Sequence, residues 1–568
     1  MHGCLSSLMA RLELFGCLSL WSFDFSNTQA TSLLPTSSPP PSRLTSETLW
    51  MLLCSLLVWL MIPGLALFYG GMVRFKNILT TMMQSMVCLT IIGVYWVIVG
   101  YNLAFGASHG SLFGWSNDLF LLQGISPTET LKGTNIPVLA HVLFHGMVAA
   151  LTPAILSGAI AERVRFRSYL VLVLLWVTLV YCPLAHAVWA RDWFGNGPGE
   201  RGTGLVYVGR LSSPQAGLGM IDFAGASVIH LAAGLAGLAA TMVLRRKQGD
   251  PQPVLNPNSM TLTLLGAGLL GMGWFGLAGG FTLGRFDPTV ISLLNTHTSG
   301  MAAALSWILV EAWHRRKFTA LGWVSGCVAG WVAAAALADR MSVGSSLLLG
   351  SGASVICYTV IWLKPKLRYE DALDAFGLHG VGALYGLLLA GWLHPQPWVQ
   401  GLVVLILVGF SFSVSLGLVH MLDRLLPLRA DEECEQLGLD RTEHGQVGFD
   451  FEPDLTWHTN QIQREPRPAL APPITGTRYA LLVEGVEPGE LMQRWSELCQ
   501  SRDEQPAPEF LEVYPYVTFV EHNRFRFRGG EPWRVKEAME RLLRDVLRTA
   551  SVRVRFENRG LPPSSKVA

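Results

Sequence analysis

The chain has 568 residues, of which 50% are hydrophobic and 15% charged, and its mean hydropathy is +0.37. Soluble proteins usually carry about 25% charged residues, so this composition predicts a polytopic membrane protein. The net charge of +1 gives no argument for a nucleic-acid partner, and the nine cysteines, which form no CxxC pair, indicate neither a zinc site nor a disulfide framework. We expect no metal and no cofactor.

Residues 1–46 are expected to be a disordered extension or a mis-assigned start. Their apolar stretch is interrupted by Arg11 and Glu13, and a Pro-, Ser- and Thr-rich segment follows it. A secretory signal peptide has a basic start and an unbroken apolar core. This segment therefore makes a poor signal peptide.

Residues 47–427 are predicted to form an all-α membrane domain with eleven spans, because one helix needs about 20 apolar residues to cross a bilayer. The predicted spans are 48–72, 79–104, 136–160, 167–190, 222–244, 259–281, 289–313, 319–338, 344–363, 375–393 and 397–422.

Basic residues are concentrated in the loops that follow the odd-numbered spans. Because such loops tend to remain in the cytoplasm, we expect the N-terminus outside the cell membrane and the C-terminus inside. The basic residues include Arg74, Lys76, Arg163, Arg165, Arg245, Arg246, Arg315, Arg316, Lys364 and Lys366.

Two similar stretches, 222–230 and 374–382, each place an Asp, a Gly and a His in an otherwise apolar run. An ionisable side chain at membrane depth costs roughly 2.5 kcal/mol or more and is a functional candidate by default. Two such stretches in one chain suggest an internal duplication whose halves meet at the membrane midplane. His230 and His379 are the central candidates.

The composition changes after the last span. Residues 428–454 are predicted to be a polar, acidic tail, 455–476 a linker, 477–557 a small α+β domain, and 558–568 a disordered end. The order βαββαβ predicts a ferredoxin-like domain. Its predicted elements are a strand at 479–484, a helix at 488–499, a hairpin formed by 510–514 and 516–520 with 525–527, a helix at 531–547 and a strand at 552–556.

Several short motifs occur in order along the membrane domain. They are GLALFYGG at 64–71, SGAIAER at 157–163, AHAVW at 185–189, GWFG at 273–276, Asn295-Thr296, and the two Asp–His stretches. Together they resemble the ammonium transporter (Amt/Mep/Rh) family over about residues 47–446.

This resemblance implies eleven helices in two inverted five-helix repeats and a homotrimer with one pore per subunit. It also implies that His230 and His379 are twin pore histidines, stacked edge to edge in a hydrophobic conduit. Imidazole passes a hydrogen bond or a proton without a fixed charge. The alternative for a lone buried histidine is a hydrogen-bonded structural residue.

Asp222 matches the family's buried aspartate near the outer mouth, where it would hold helix-end backbone groups and add negative potential. Asp374 is interpreted as its counterpart on the inner side, and for both a purely structural role is the alternative. Trp189 matches the aromatic residue of the external recruitment site, with an interfacial membrane anchor as the alternative. Trp274 is retained as a pore-lining or structural residue.

The outer mouth departs from the family pattern. Val148 and Leu277 align with the usual pair of stacked gate phenylalanines, and Phe281 aligns with the usual recruitment-site serine. Phe144 is retained, and His145 stands where many members have glutamine. These differences put tight ammonium capture in doubt while the histidine conduit is intact.

The stretch 428–445 resembles the family's cytoplasmic tail, in which Gly438 and Asp440 are expected to couple subunits. In relatives a PII-type signalling protein docks at this face. On its residues alone, an acidic stretch is usually a solvated segment.

The expected function is passage of ammonium or ammonia across the cell membrane, with NH4+ deprotonated at the outer mouth. Two alternatives stay open: an ammonium sensor that signals through the C-terminal domain, and an Rh-like channel for neutral NH3 or CO2. An enzyme is not expected, because the soluble part contains no nucleophile–base constellation or metal-ligand cluster.

Overall fold

The computed structural model describes residues 44–109, 112–190, 220–244, 257–367, 369–449, 479–484, 486, 488–500, 517–521, 524–527, 532–547 and 552–558. The predicted linker 455–476, the strand predicted at 510–514, and most of the segments 1–46 and 558–568 lie outside these residues.

The described chain between residues 46 and 425 is built mainly from helices. Their bounds are α1 Ser46–Met72, α2 Phe75–Phe105, α3 Val138–Ile160, α4 Phe166–Trp189, α5 Ala226–Val243, α6 Met260–Phe281, α7 Phe286–Arg315, α8 Ala320–Ala334, α9 Val343–Leu367, α10 Phe376–Leu393 and α11 Pro397–Leu425. Between α2 and α3 lie the short strands β1 Ser108–His109 and β2 Phe113–Gly114 and a 3-10 segment, Asn117–Leu122.

Nine of these helices are long and apolar enough to cross a membrane, within the part of the chain that the structure describes. Helix α7 falls short in composition, because polar side chains interrupt it around 295–299, and helix α8 has only 15 residues. The nine helices make the chain a multi-pass membrane protein.

Helices α5 and α10, which carry the two candidate histidines, both begin with a π-helical turn, at Ala226–Leu231 and Phe376–Gly380. They cross where a Cβ at Gly234 would lie 2.4 Å from the backbone nitrogen of Gly380. Only glycine permits this approach. The crossing brings His230 and His379 together in the middle of the bundle.

Two short helices, α12 Glu432–Leu437 and α13 Leu439–His444, form the tail after α11. A further set of elements follows: β3 Tyr479–Glu484, α14 Pro488–Gln500, β4 Val517–Glu521, β5 Arg524–Phe527, α15 Pro532–Leu547 and β6 Arg553–Asn558.

The four C-terminal strands form one sheet in the order β4-β5-β3-β6, and all neighbouring strands are antiparallel. Helices α14 and α15 supply Leu491, Trp495 and Leu543 to a core that also contains Val483 and Phe525 from the sheet. This core is separate from that of the membrane helices.

Candidate functional site

His230 and His379 form a direct contact at the centre of the bundle. Their Nδ1 atoms are 3.2 Å apart, their ring centroids 5.2 Å apart, and their planes inclined by 23°. Because the nitrogens are closer than the centroids while the planes are nearly parallel, the rings meet through their edges. Since both rings are almost completely buried, one Nδ1 must donate and the other accept, which requires one shared proton between two neutral imidazoles.

The pair leaves hydrogen-bonding capacity unused. Among the described residues, His230 Nε2 and the indole Nε1 of Trp274 are buried without a partner. Trp274 lies parallel to His230, with centroids 5.5 Å apart and planes inclined by 15°. Buried polar atoms in native proteins rarely stay unpaired, so these two atoms are candidates to bind a small polar molecule.

Asp222 caps the N-terminus of α5. Its carboxylate accepts hydrogen bonds from the backbone N–H of Ala226 at 2.7 Å and of Ser227 at 2.9 Å, and also from the Ser227 hydroxyl. The carboxylate therefore fixes the start of the helix that carries His230.

The predicted pairing of Asp222 with Asp374 is wrong, because Asp371 makes the equivalent contacts. Asp371 accepts hydrogen bonds from the first backbone N–H groups of α10 at 2.9, 2.7 and 3.2 Å. It stands eight residues before His379, as Asp222 stands eight residues before His230. Asp374 instead pairs with Lys364.

The backbone explains why Asp374 does not take that role. It has a left-handed φ of 58°, and the corresponding position of the first stretch is Gly225, with a φ of 81°. Both residues make the turn that leads into the helix. The matching pairs are thus Asp222 with Asp371 and Gly225 with Asp374.

Four of the residues expected at the outer mouth are brought together in one group, termed here the outer aromatic cluster: Phe144, His145, Trp189 and Phe281. Ring centroids are 5.5 Å apart for Phe144 and Phe281, 5.5 Å for His145 and Trp189, and 5.0 Å for Trp189 and Phe281. The phenyl ring of Phe281 therefore lies directly against the indole of Trp189.

Val148 and Leu277, which align with the usual gate positions, are fully buried. Gly225 lies under Trp189, where an added Cβ would be 2.8 Å from the indole ring. The Asp222 turn thus packs against the outer aromatic cluster.

The tail is anchored on the start of α2 and on the loop that follows α3. Asp440 accepts hydrogen bonds from the backbone N–H groups of Leu79 at 2.9 Å and Thr80 at 2.8 Å. The Lys76 ammonium donates to the carbonyls of Glu435 and Gln436 at 2.8 and 2.6 Å. These contacts hold α12 and α13 against the start of α2.

A second set of contacts joins the tail to the loop after α3. The Arg165 backbone N–H donates to the Leu428 carbonyl at 2.9 Å, the Ala430 N–H donates to the Arg163 carbonyl at 2.7 Å, and the Arg165 guanidinium pairs with Asp431. The tail therefore lies on the same side of the membrane as the start of α2 and the loop after α3.

Burial raises the pKa of Asp440, and the backbone hydrogen bonds from Thr80 and Leu79 oppose that rise only in part. A docked carboxyl with a raised pKa binds its proton more tightly than the undocked one. Through this group, mild acid therefore favours docking, and the advantage disappears as the pH rises through the docked pKa.

Sequence reasoning missed Asp371 and the residues that receive the tail, such as Asn77, whose side chain accepts from the Leu439 N–H at 2.8 Å. The eight-residue Asp–His spacing could have identified Asp371. Nothing local in the sequence indicates the Asn77 contact, because the two residues are 362 positions apart. Among the described residues, no group of three His, Cys, Asp or Glu could hold a metal ion.

The family model of the Ammonium Transporter Family matches residues 49–449. An ammonium transporter of Bacillus subtilis is 37% identical over 424 residues, which cover 71% of this chain and 98% of that protein. Ammonium transporter Amt1 of Archaeoglobus fulgidus is 33% identical over 415 residues, which cover 70% of this chain and 98% of that protein.

Solved structures share the fold of the membrane domain. Candida albicans Mep2 has a TM-score of 0.59 and 27% identity, covering 68% of this chain and 87% of that chain. A structure described as a Sensor Amt Protein has a TM-score of 0.62 and 24% identity, and the match covers 70% of this chain and 98% of that chain. At this identity the likeness concerns the fold alone.

Proposed function

We propose that this chain, which belongs to the ammonium transporter family, conducts ammonium nitrogen past His230 and His379. The observation that carries the proposal is the buried contact between the two Nδ1 atoms, with His230 Nε2 left unpartnered among the described residues. An intact NH4+ loses its hydration in a dry passage at a cost of many kcal/mol. The permeating form is therefore NH3, which carries both N–H donors and a lone pair.

The outer mouth is proposed to recruit NH4+ and release its proton before NH3 reaches the histidines. Trp189 and Phe144 offer ring faces, each worth about 0.5–2 kcal/mol to a cation, and Asp222 contributes negative charge beneath them. Phe281 covers part of the Trp189 face, which weakens capture relative to a mouth with a serine there.

The architecture proposed with this function has eleven spans in two inverted five-helix repeats. It counts α7 and α8 as spans alongside the nine apolar helices. The two Asp–His stretches support the repeat, because each has a capping aspartate, a left-handed turn, a π-helical start and a histidine at matching spacing. A homotrimer with one pore per subunit is proposed from family membership.

The proposed orientation places the N-terminus outside and the C-terminus in the cytoplasm. The tail contacts the start of α2, which directly follows Arg74, and the loop that carries Arg163, so these three segments share one side, and basic loops favour the cytoplasmic side. A PII-type signalling protein is proposed as a partner at this face.

The proposed domains are 47–427 for the membrane part, 428–454 for the tail, 455–476 for a linker and 477–557 for the C-terminal domain. The sheet order β4-β5-β3-β6 and the sequence βαββαβ support a ferredoxin-like fold for the last. No enzymatic activity is proposed.

The test is flux into proteoliposomes after an ammonium pulse, read by capacitive current and by an internal pH dye. Uptake with current supports an ammonium transporter. The fully buried Val148 and Leu277 and the partly buried Phe281 favour one alternative, an Rh-like channel for neutral NH3 or CO2. In such a channel the entry of NH3 after the pulse would alkalinise the lumen without current. The absence of both signals in a folded protein would contradict the transport proposal, and an ammonium sensor would then be the remaining alternative.

A further inference from the structure

The outer aromatic cluster contains a histidine to which the proposed pathway gives no task. We propose that His145 is a substrate-binding residue, whose Nδ1 accepts a hydrogen bond from an N–H of the entering ammonium or ammonia. This inference rests on the proposed function and adds one specific contact to it.

The first observation is an unsatisfied buried atom. His145 is 4% exposed, and its Nδ1 is buried without a hydrogen-bond partner among the described residues. Leaving a buried polar atom unpaired costs about 1–3 kcal/mol. This unpaired nitrogen does not stabilise the fold, and it lies next to the candidate entry site. Binding of a transient ligand therefore explains it better than a contribution to stability.

The second observation is what surrounds the imidazole. The nearest ring is the imidazole of His141, with centroids 4.3 Å apart, and the Phe105 and Phe144 centroids lie 4.6 and 5.3 Å away. The centroids of Trp189 and Phe281 are both at 5.5 Å. Aromatic ring faces supply no strong hydrogen-bond partner for Nδ1, yet they attract a small cation. The surroundings therefore fit a compact molecule that carries N–H donors.

The other titratable side chains named around the cluster, on α3, α4 and at the start of α5, are already engaged in hydrogen bonds. His141, one helical turn before His145 on α3, has its Nδ1 3.0 Å from the Tyr101 hydroxyl. His186 on α4 has both ring nitrogens in hydrogen bonds of 3.0 Å, and the Asp222 carboxylate caps α5. Helix α6 contributes no titratable side chain. Of these titratable side chains, His145 is therefore the one available to accept a hydrogen bond from the substrate.

The same chemistry is found at the central pair. The Trp189 Nε1, like that of Trp274, is buried without a partner among the described residues, and each indole centroid lies 5.5 Å from a histidine with one unpartnered nitrogen. An imidazole nitrogen beside an indole N–H thus occurs in both places. The likeness supports a shared ligand, because ammonia can satisfy an acceptor and a donor together.

The experiment measures initial flux into proteoliposomes against ammonium concentration for the wild type, His145→Phe and His145→Gln. Phenylalanine keeps a planar ring and removes the acceptor, so we expect its KM to rise about tenfold, with little change in the maximal rate. Glutamine keeps an acceptor, so its KM should rise less than about threefold.

The outcomes separate this inference from the function on which it rests. A wild type without flux would refute the proposed function. A conducting wild type with an unchanged KM in His145→Phe would refute the role of His145 alone, and so would equal KM increases in both variants, which indicate packing. If His145→Phe is not monodisperse, His145→Leu is compared with His145→Gln by the same criteria.

Discussion

At the scale of single residues, the central contact is a neutral pair. A proton added to either imidazole would place a charge in apolar surroundings and would repel any charge on its partner. With one shared proton between the Nδ1 atoms, each ring adopts a defined tautomer. A hydrogen bond can then be passed from one imidazole to the other without any rearrangement of the helices.

The side chain of Phe281 allows a test of substrate capture. Its ring lies 5.0 Å from that of Trp189, so Phe281→Ser should uncover the indole face and supply a hydroxyl acceptor. The apparent KM for ammonium should fall a few-fold to about tenfold, about 1 kcal/mol. Concentration-dependent flux measures this, and an unchanged KM would indicate that substrate is captured elsewhere.

The sequence pattern identifies the two histidines but points to the wrong capping aspartate in the second stretch. His230 and His379 stand out because imidazole is rare in apolar runs. Asp374 takes the place of Asp371 in the pattern because it precedes Gly377 by three residues, as Asp222 precedes Gly225. The left-handed turn at Asp374, which orients its carboxylate toward Lys364, depends on backbone geometry that the pattern did not reveal.

At the scale of elements, the starts of α5 and α10 depend on their capping aspartates. Asp371→Asn leaves one good acceptor for the three backbone N–H groups that the carboxylate now binds. We expect a loss of about 1–2 kcal/mol, seen as a lower Tm in detergent. Asp374→Asn is the matched control and should lose less, since asparagine tolerates the left-handed turn. Equal losses would mean that capping is not what Asp371 contributes.

The tail offers a second test at this scale. Gly438 has a φ of 101°, and a Cβ there would lie 2.6 Å from the Lys76 carbonyl oxygen. Gly438→Ala should therefore release α12 and α13 from the membrane domain. Gly445, with a φ of 65° and open space around its Cβ position, provides the matched control Gly445→Ala.

Hydrogen exchange of residues 429–445 measures the release. It should be clearly faster in Gly438→Ala than in Gly445→Ala and the wild type. Identical protection in both variants would show that the close approach to Lys76 does not anchor the tail.

At the scale of the whole molecule, hydropathy predicted where the helices lie, because membrane helices must satisfy their own backbone and bury few charges. It did not predict the details that make a site. The π-helical starts of α5 and α10 and the anchoring of the tail by Lys76 and Asn77 depend on contacts between distant parts of the chain.

The C-terminal domain can be tested by truncation after residue 455, which leaves the docked tail in place. If the domain regulates transport, flux in the full chain should respond to cytosolic effectors, and the truncated chain should conduct at a similar basal rate without that response. Effector-dependent flux measured on both proteins decides this. The same response in both would assign the domain a passive role.

The central claim is that ammonium nitrogen passes the contact between His230 and His379. The most direct measurement compares flux in His230→Ala and His379→Ala with flux in His420→Ala, whose histidine is exposed on α11. All three proteins should be monodisperse, and only the two central variants should conduct abnormally, with the rate or selectivity changed at least about tenfold. Wild-type flux in both central variants would contradict the claim.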